Sequence, residues 1–133
     1  MLAPYTFNVH FKDMAAEETE NGFRLSEVPL GEGMLDMKRI VDTIRRARPA
    51  VRFSLEMITR DPLEVPCLTE KYWSTFDDVN GVHLARTLGS IRAHPPGAPL
   101  PRISGLTPEQ RLALEMDLVE RSIVYARDQL GLR

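Results

Sequence analysis

Two short stretches of this chain alternate apolar and polar residues with a period of two. From Tyr5 to Phe11, the residues Phe7, Val9 and Phe11 share one parity, while Thr6, Asn8, His10 and the following Lys12 share the other. That pattern predicts a strand with one apolar and one polar face. Val51 to Glu56 repeats the design: Val51, Phe53 and Leu55 alternate with Arg52, Ser54 and Glu56. Each predicted strand delivers a side chain of functional type at its carboxyl end. Between them, Asp36 is placed to cap a helix running to about Ala47, with Met37, Ile40, Val41 and Ile44 on one face and Pro49 stopping it. Strand, loop, helix and strand in that order predict a right-handed crossover between parallel strands.

The rest of the chain is less regular. Lys12 to Pro29 reads as a polar loop in which Glu17, Glu18 and Glu20 are solvated, and Met57 to Gly81 as a long irregular lid or packed flap containing Tyr72, Trp73 and Phe76. A helix from Val82 to Ala93 carries Leu84, Leu88 and Ile91 on one side. The prolines between His94 and Pro101 lack donors and fix φ, which predicts a spacer. Thr107, Pro108 and Gln110 supply the N-cap, the first helical position and the third residue past the cap of a final helix. Along it, Leu112, Met116, Val119, Ile123, Ala126 and Leu130 predict the docking stripe, and Gly131 the end. A coiled coil is the alternative use of that spacing.

Composition changes this picture little. With 43% hydrophobic and 27% charged residues among 133, the chain suits one domain with a modest core. Lys and Arg number 17 against 19 Asp and Glu, so no global field recruits nucleic acid or an anionic membrane, and neither is expected as a partner. The lone Cys67 excludes an internal disulfide and fits a reducing, cytoplasmic location. No run approaches the roughly 20 apolar residues that span a bilayer.

The candidate chemistry centres on His10 and Glu56. Imidazole nitrogen and carboxylate oxygen together suit Mn²⁺, Co²⁺, Mg²⁺ or Zn²⁺, and neighbouring strands would bring both to one ion. Taken singly, each is more often a hydrogen-bonded or solvated strand end; the matched parity of the two strands brings the ligand reading level with that. Lys12 is a candidate to orient a substrate phosphate or hydroxyl, and Asp13 to accept a hydrogen bond from a metal-bound histidine; a surface ion pair is the plain alternative. Gly31-Glu32-Gly33 allows close backbone approach but is read first as a turn. Arg60, directly after the second strand, is a candidate to close over a ligand, with a surface pair to Asp61 as the alternative. Arg45, Arg46 and Arg48 sit where they complement the end of a helix dipole.

Two parallel strands are too few. Such strands are normally covered on both faces and flanked by others, and no further partner strand is legible. Functional side chains at the carboxyl ends of two βα units match the end of a (β/α)₈ barrel. The expected fold class is therefore α/β, a partial TIM barrel of two parallel strands plus helices. Residues 1–93 are expected to be its last two βα units, 94–106 a proline-rich spacer and 107–133 a helix packed on the barrel.

Val9-His10-Phe11-Lys12-Asp13, then Pro29 to Asp36, then Phe53-Ser54-Leu55-Glu56 resemble the C-terminal portion of sugar phosphate isomerases/epimerases of the xylose isomerase-like superfamily. The resemblance covers about residues 1–60, and the segments Ile58 to Pro62 and Pro66 to Thr69 are similar to the tail of one branch. It implies that His10 and Glu56 are metal ligands and that Glu56 takes part in proton transfer on a sugar or sugar phosphate; Lys12, Asp13 and Arg60, read from their positions alone, are the expected substrate-binding residues. Endonuclease IV relatives carry Asp-x-His where this chain has Leu25-Ser26-Glu27, so a DNA-repair nuclease is the less favoured implication. The family draws its other ligands and an opposing carboxylate from earlier strands. The chain is therefore expected to be a fragment or half of an assembly, inactive alone, with a partner chain or a second copy supplying the missing strands. A non-catalytic interaction module is the competing expectation.

Overall fold

The computed structural model describes residues 2–132. A 3₁₀ turn at Ala3–Tyr5 leads into β1 (Asn8–Phe11). The chain continues through β2 (Asp13–Thr19), β3 (Gly22–Val28), α1 (Met37–Ala47), β4 (Arg52–Leu55) and β5 (Leu63–Val65). Three helices follow: α2 (Glu70–Trp73), α3 (Gly81–Ala93) and α4 (Pro108–Leu130). The fold is mixed α/β, with two sheets.

β1 and β4 pair in parallel, with Val9 opposite Phe53, His10 opposite Ser54 and Phe11 opposite Leu55. The apolar parity of both strands therefore faces one way. Phe11, with Leu30, Met37, Val41 and Leu130, forms the main core, and Val9, Ile40, Phe53, Leu55, Tyr125 and Ala126 pack around it. The rings of Phe11 and Phe53 meet edge to face at 5.2 Å, a preferred aromatic arrangement. Asn8, His10, Arg52 and Ser54 are left exposed on the opposite face.

The expected polar loop from Lys12 to Pro29 is instead a β-hairpin. β2 and β3 pair antiparallel from Asp13 opposite Val28 to Thr19 opposite Gly22, and β5 adds a third strand beside Phe23 to Leu25. Glu17 and Glu18, expected to be merely solvated, lie on β2 and pair with Arg24 at 3.3 Å and with Arg92. The expected irregular flap contributes β5 and the short α2, whose Tyr72 and Trp73 pack on each other and on Phe76 just beyond the helix. Residues 94–106 contain no helix or strand, yet Leu100 is buried against Ala15 and Val28 of the hairpin.

The helices start and stop where their capping residues stand. Asp36 accepts from the Arg39 amide at 2.9 Å, Thr107 and Gln110 form a reciprocal capping box, and Gly131 closes α4 at φ 59°. The expected docking stripe of α4 holds at its C-terminal end, where Ala126 packs on the core and Leu130 is buried, but fails at Leu112, Met116 and Ile123. Leu118, Ser122 and Leu130 are buried, whereas Leu112, Met116 and Ile123 are 61%, 63% and 53% exposed. Apolar spacing missed the polar anchor on the inner face: the Ser122 hydroxyl accepts from the Leu30 amide at 3.3 Å and donates to the Leu118 carbonyl at 2.8 Å. Arg45 of α1 donates to the carbonyls of Leu130 and Gly131, fixing the other end of α4.

The loop joining β3 to α1 is organised by Asp13, which is completely buried. Its carboxylate accepts from the amides of Met14, Gly31, Gly33 and Leu35 at 2.8, 2.9, 3.1 and 3.2 Å. Both glycines are required by that approach. A Cβ on Gly33 would collide with the Asp13 carboxyl and the Met14 carbonyl, while Gly31 sits at φ +84° against the Tyr125 ring. Replacing Asp13 with Ala would strand four amides and is expected to destabilise the fold by about 3 kcal/mol or more. Asp13→Asn, which keeps one acceptor oxygen, is expected to cost less. Urea denaturation measures both, and a loss below about 1 kcal/mol for the alanine variant contradicts this role.

Candidate functional site

β1 and β4 run side by side, so their polar parity brings His10, Lys12 and Glu56 to one end of the sheet. The β4 chain stays in register one step beyond the strand, where the Glu56 amide donates to the Phe11 carbonyl at 3.0 Å. His10 Nδ1 lies 2.9 Å from Glu56 Oε2, and Lys12 Nζ donates to Glu56 Oε1 at 2.8 Å. Each carboxylate oxygen thus has its own partner.

A fourth group comes from the hairpin. Glu27, with a side chain only 2% exposed, accepts from Lys12 Nζ at 3.1 Å through Oε1. Its Oε2 accepts from the Ile58 amide at 2.6 Å, tying the segment after β4 to β3. Sequence reasoning missed Glu27 because it assigned residues 12–29 to a loop. The available signal was the Asn21-Gly22 dipeptide, which marks a tight turn between paired strands.

The electrostatics are those of one ammonium shared by two carboxylates. The hydrogen bond from Lys12, against an opposing desolvation and with help from His10, holds the Glu56 carboxyl below the usual carboxylate range. Glu56 in turn, more than Glu27, raises the Lys12 ammonium above its ordinary value. The cluster sets one ammonium against two carboxyl groups, which favours a further cation over an anion.

Neither Asp13 nor Arg60 is hydrogen-bonded to this cluster. Asp13 is beneath the site rather than in it, for the next residue along a strand points to the opposite face, and its oxygens are engaged by the loop amides. Arg60 is exposed and makes no hydrogen bond or ion pair with another described residue. Asp61 does not pair with it: Asp61 accepts from Ser104 Oγ and from the amides of Ser104 and Ile103, contacts that lower its pKa in that order of residues. Cys67 is buried, and burial pushes its thiol up, away from nucleophile chemistry.

His10 and Glu56 pass one test as metal donors. Their nearest atoms are 2.9 Å apart in a direct hydrogen bond, a separation that adjacent ligands of one ion with bonds of about 2.0–2.2 Å also allow, so an ion held by both would replace that bond. Two donors leave an incomplete shell, and among the described residues no three His, Cys, Asp or Glu side chains gather as a metal site. No described helix is long and apolar enough to cross a membrane. No family model, curated protein or solved structure matches the chain.

The shifts set a pH window. Glu56, with its folded pKa lowered, contributes stability fully above its unfolded value near ~4.3, and loses it as pH falls through the folded value. Lys12, with its folded pKa raised, contributes fully below about 10.4 and loses it as pH rises through the folded value. Lys12→Met is expected to return the Glu56 carboxyl towards its ordinary titration range, read by carboxyl-carbon NMR. It also leaves Glu27 buried without its cation, at a cost of about 3 kcal/mol. An unmoved Glu56 titration would refute the shared-ammonium arrangement.

Proposed function

We propose that this chain carries part of the active site of a metal-dependent sugar or sugar-phosphate isomerase/epimerase, contributing two βα units of a xylose isomerase-like (β/α)₈ barrel. The observation that supports it most is the pairing of β1 and β4. They are parallel and covered on the apolar face by α1 and α4, and they present His10 and Glu56 together at their carboxyl ends. That is the end at which such barrels place their chemistry. The hairpin then corresponds to an elaborated loop following a barrel strand.

In this reading His10 and Glu56 hold a divalent ion such as Mn²⁺, Co²⁺, Mg²⁺ or Zn²⁺, with further ligands from strands beyond these two. The ion supplies Lewis-acid polarisation of a sugar carbonyl and its neighbouring hydroxyl. The chain's own groups divide the remaining work. Lys12 stays protonated and donates a hydrogen bond to a sugar oxyanion or phosphate; its raised pKa bars it from acting as a base. Glu56 is held as the carboxylate and serves first as a ligand. A general base works best with a pKa near the operating pH, so Glu56 accepts a proton only where the Lys12 contact is weakened. Most of the proton transfer falls to a carboxylate on the opposite side of the substrate. Arg60, exposed after β4, is assigned in this reading to a substrate phosphate.

The second reading, an interaction module completed by a partner chain or a second copy, rests on separate observations. Among the described residues β1 and β4 each have one neighbouring strand, and α4 exposes Leu112, Met116 and Ile123. The two readings share the need for further strands and differ in chemistry.

Calorimetric titration with Mn²⁺ separates them. Saturable binding weakened at least tenfold by Glu56→Gln or His10→Ala is expected, together with loss of aldose–ketose interconversion in an assembly that supplies the remaining strands. Binding and turnover unchanged in Glu56→Gln would refute the isomerase reading.

A further inference from the structure

The isomerase reading leaves the buried Glu27 without a task. Glu27 is too enclosed to meet a substrate, and its two oxygens are engaged by Lys12 Nζ and the Ile58 amide. It is one step removed from Glu56. Lys12 Nζ sits on Oε1 of Glu56 while His10 Nδ1 sits on Oε2, so the two oxygens of that carboxylate are not equivalent.

We infer, resting on the metal-site reading above, that Glu27 is a positioning residue acting through Lys12: it pins the ammonium on Oε1 of Glu56, so that Glu56 offers a metal ion Oε2 alone, beside His10. Three features of the geometry carry this. First, a free lysine side chain has four rotatable bonds and about 2 kcal/mol of rotamer entropy, so an ammonium held by one exposed carboxylate would exchange between its oxygens and water. A second acceptor at 3.1 Å, itself immobilised by a backbone amide, removes that freedom. Second, Glu27 reaches both strand ends at once, Lys12 after β1 and Ile58 after β4, so the hairpin fixes the lateral spacing on which the His10–Glu56 contact depends. Third, the partition of partners is already the one a ligating carboxylate needs. Oε1 is held by the ammonium and Oε2 by the His10 ring nitrogen, so an ion entering beside His10 replaces only the Oε2 contact. Outer-shell hydrogen bonds of this kind orient metal ligands, and their removal typically lowers metal affinity by about 10–100-fold.

The hairpin acquires a purpose in this scheme. It is the support that makes the carboxylate one-sided, and its register matters because Glu27 must arrive opposite Met14 on β2 and beyond Lys12. Lys12 need not move when the ion enters.

The test is a Zn²⁺ titration of the full chain followed by nitrogen NMR on the Lys12 ammonium and the His10 ring, compared with Glu27→Gln and Glu27→Asp. Gln keeps an acceptor for the Ile58 amide but not the charge that holds Lys12; Asp keeps the charge one methylene short. In the wild type, the Lys12 ammonium signal is expected to be resolved before metal addition and to persist while the His10 ring nitrogens shift. In Glu27→Gln it is expected to broaden through solvent exchange and Zn²⁺ affinity to fall about tenfold, with Glu27→Asp recovering part of both. If Glu27→Gln does not fold, the Asp variant alone gives the comparison, with intermediate broadening and weaker affinity expected. Zn²⁺ binding at His10 with affinity and the Lys12 signal unchanged in the folded variants would overturn the positioning role and leave the metal site standing. Loss of the Lys12 signal on Zn²⁺ binding to the wild type would overturn it too, because the ammonium would then leave Oε1. Absence of any His10 shift in the wild type would overturn the metal-site reading, and the inference with it.

Discussion

The arrangement depends on one buried carboxylate. Asp13 gathers the amides of Met14, Gly31, Gly33 and Leu35 around two oxygens, closing the loop between β3 and α1 onto the point where β1 becomes β2. Four donors satisfied by one acidic group is an economical way to bury an irregular loop, whose peptide groups would otherwise need water. It also dictates the glycines. Gly33 must come so near the carboxyl that no side chain fits, and Gly31 must turn with positive φ beneath Tyr125. The same loop supplies the contacts that orient α4, through the Leu30 amide on Ser122 and the Glu32 carboxylate on Arg121.

Alternation then converts this structural anchor into a site. Because Asp13 points inward under the loop, its neighbour Lys12 points to the opposite side, where Glu56 and Glu27 receive it. The parallel register sets His10 opposite Ser54, two residues before Glu56, close enough for imidazole and carboxylate to touch. Fold and electrostatics are coupled here: the sheet pairing supplies the contact, and the ammonium keeps Glu56 in the charged form a cation requires. Asn8 and Ser54, whose polar atoms are 3.4 Å apart, continue the hydrophilic face away from this end.

The parts legible in the sequence were those written in local chemistry. Period-two alternation located β1 and β4 and the shared face of His10, Lys12 and Glu56, while Asp36, the Thr107–Gln110 box and Gly131 marked helix ends. The hairpin was hidden because Met14-Ala15-Ala16-Glu17-Glu18 does not alternate; Ala15 and Ala16 are both buried, and Glu17 and Glu18 are held by cross-strand and helix arginines rather than by water. With the hairpin went Glu27, whose role is visible only once β3 is laid beside β2. The face of α4 is legible only at Ala126 and Leu130, for a related reason. Its buried side is chosen by a serine hydrogen bond and a glycine–tyrosine contact, neither of which an apolar count can register. Asp13, expected to accept a hydrogen bond from a metal-bound histidine, instead takes the loop amides, because successive residues of a strand point to opposite faces.

The central claim is that His10 and Glu56 form a cation site at the carboxyl end of two parallel strands. Diffraction from crystals soaked in Mn²⁺, collected for anomalous signal, tests it directly. The account predicts an anomalous peak within about 2.2 Å of a His10 ring nitrogen and Glu56 Oε2, with Lys12 still on Oε1. Peaks only elsewhere on the surface, with the His10–Glu56 contact intact and vacant of manganese, would contradict it.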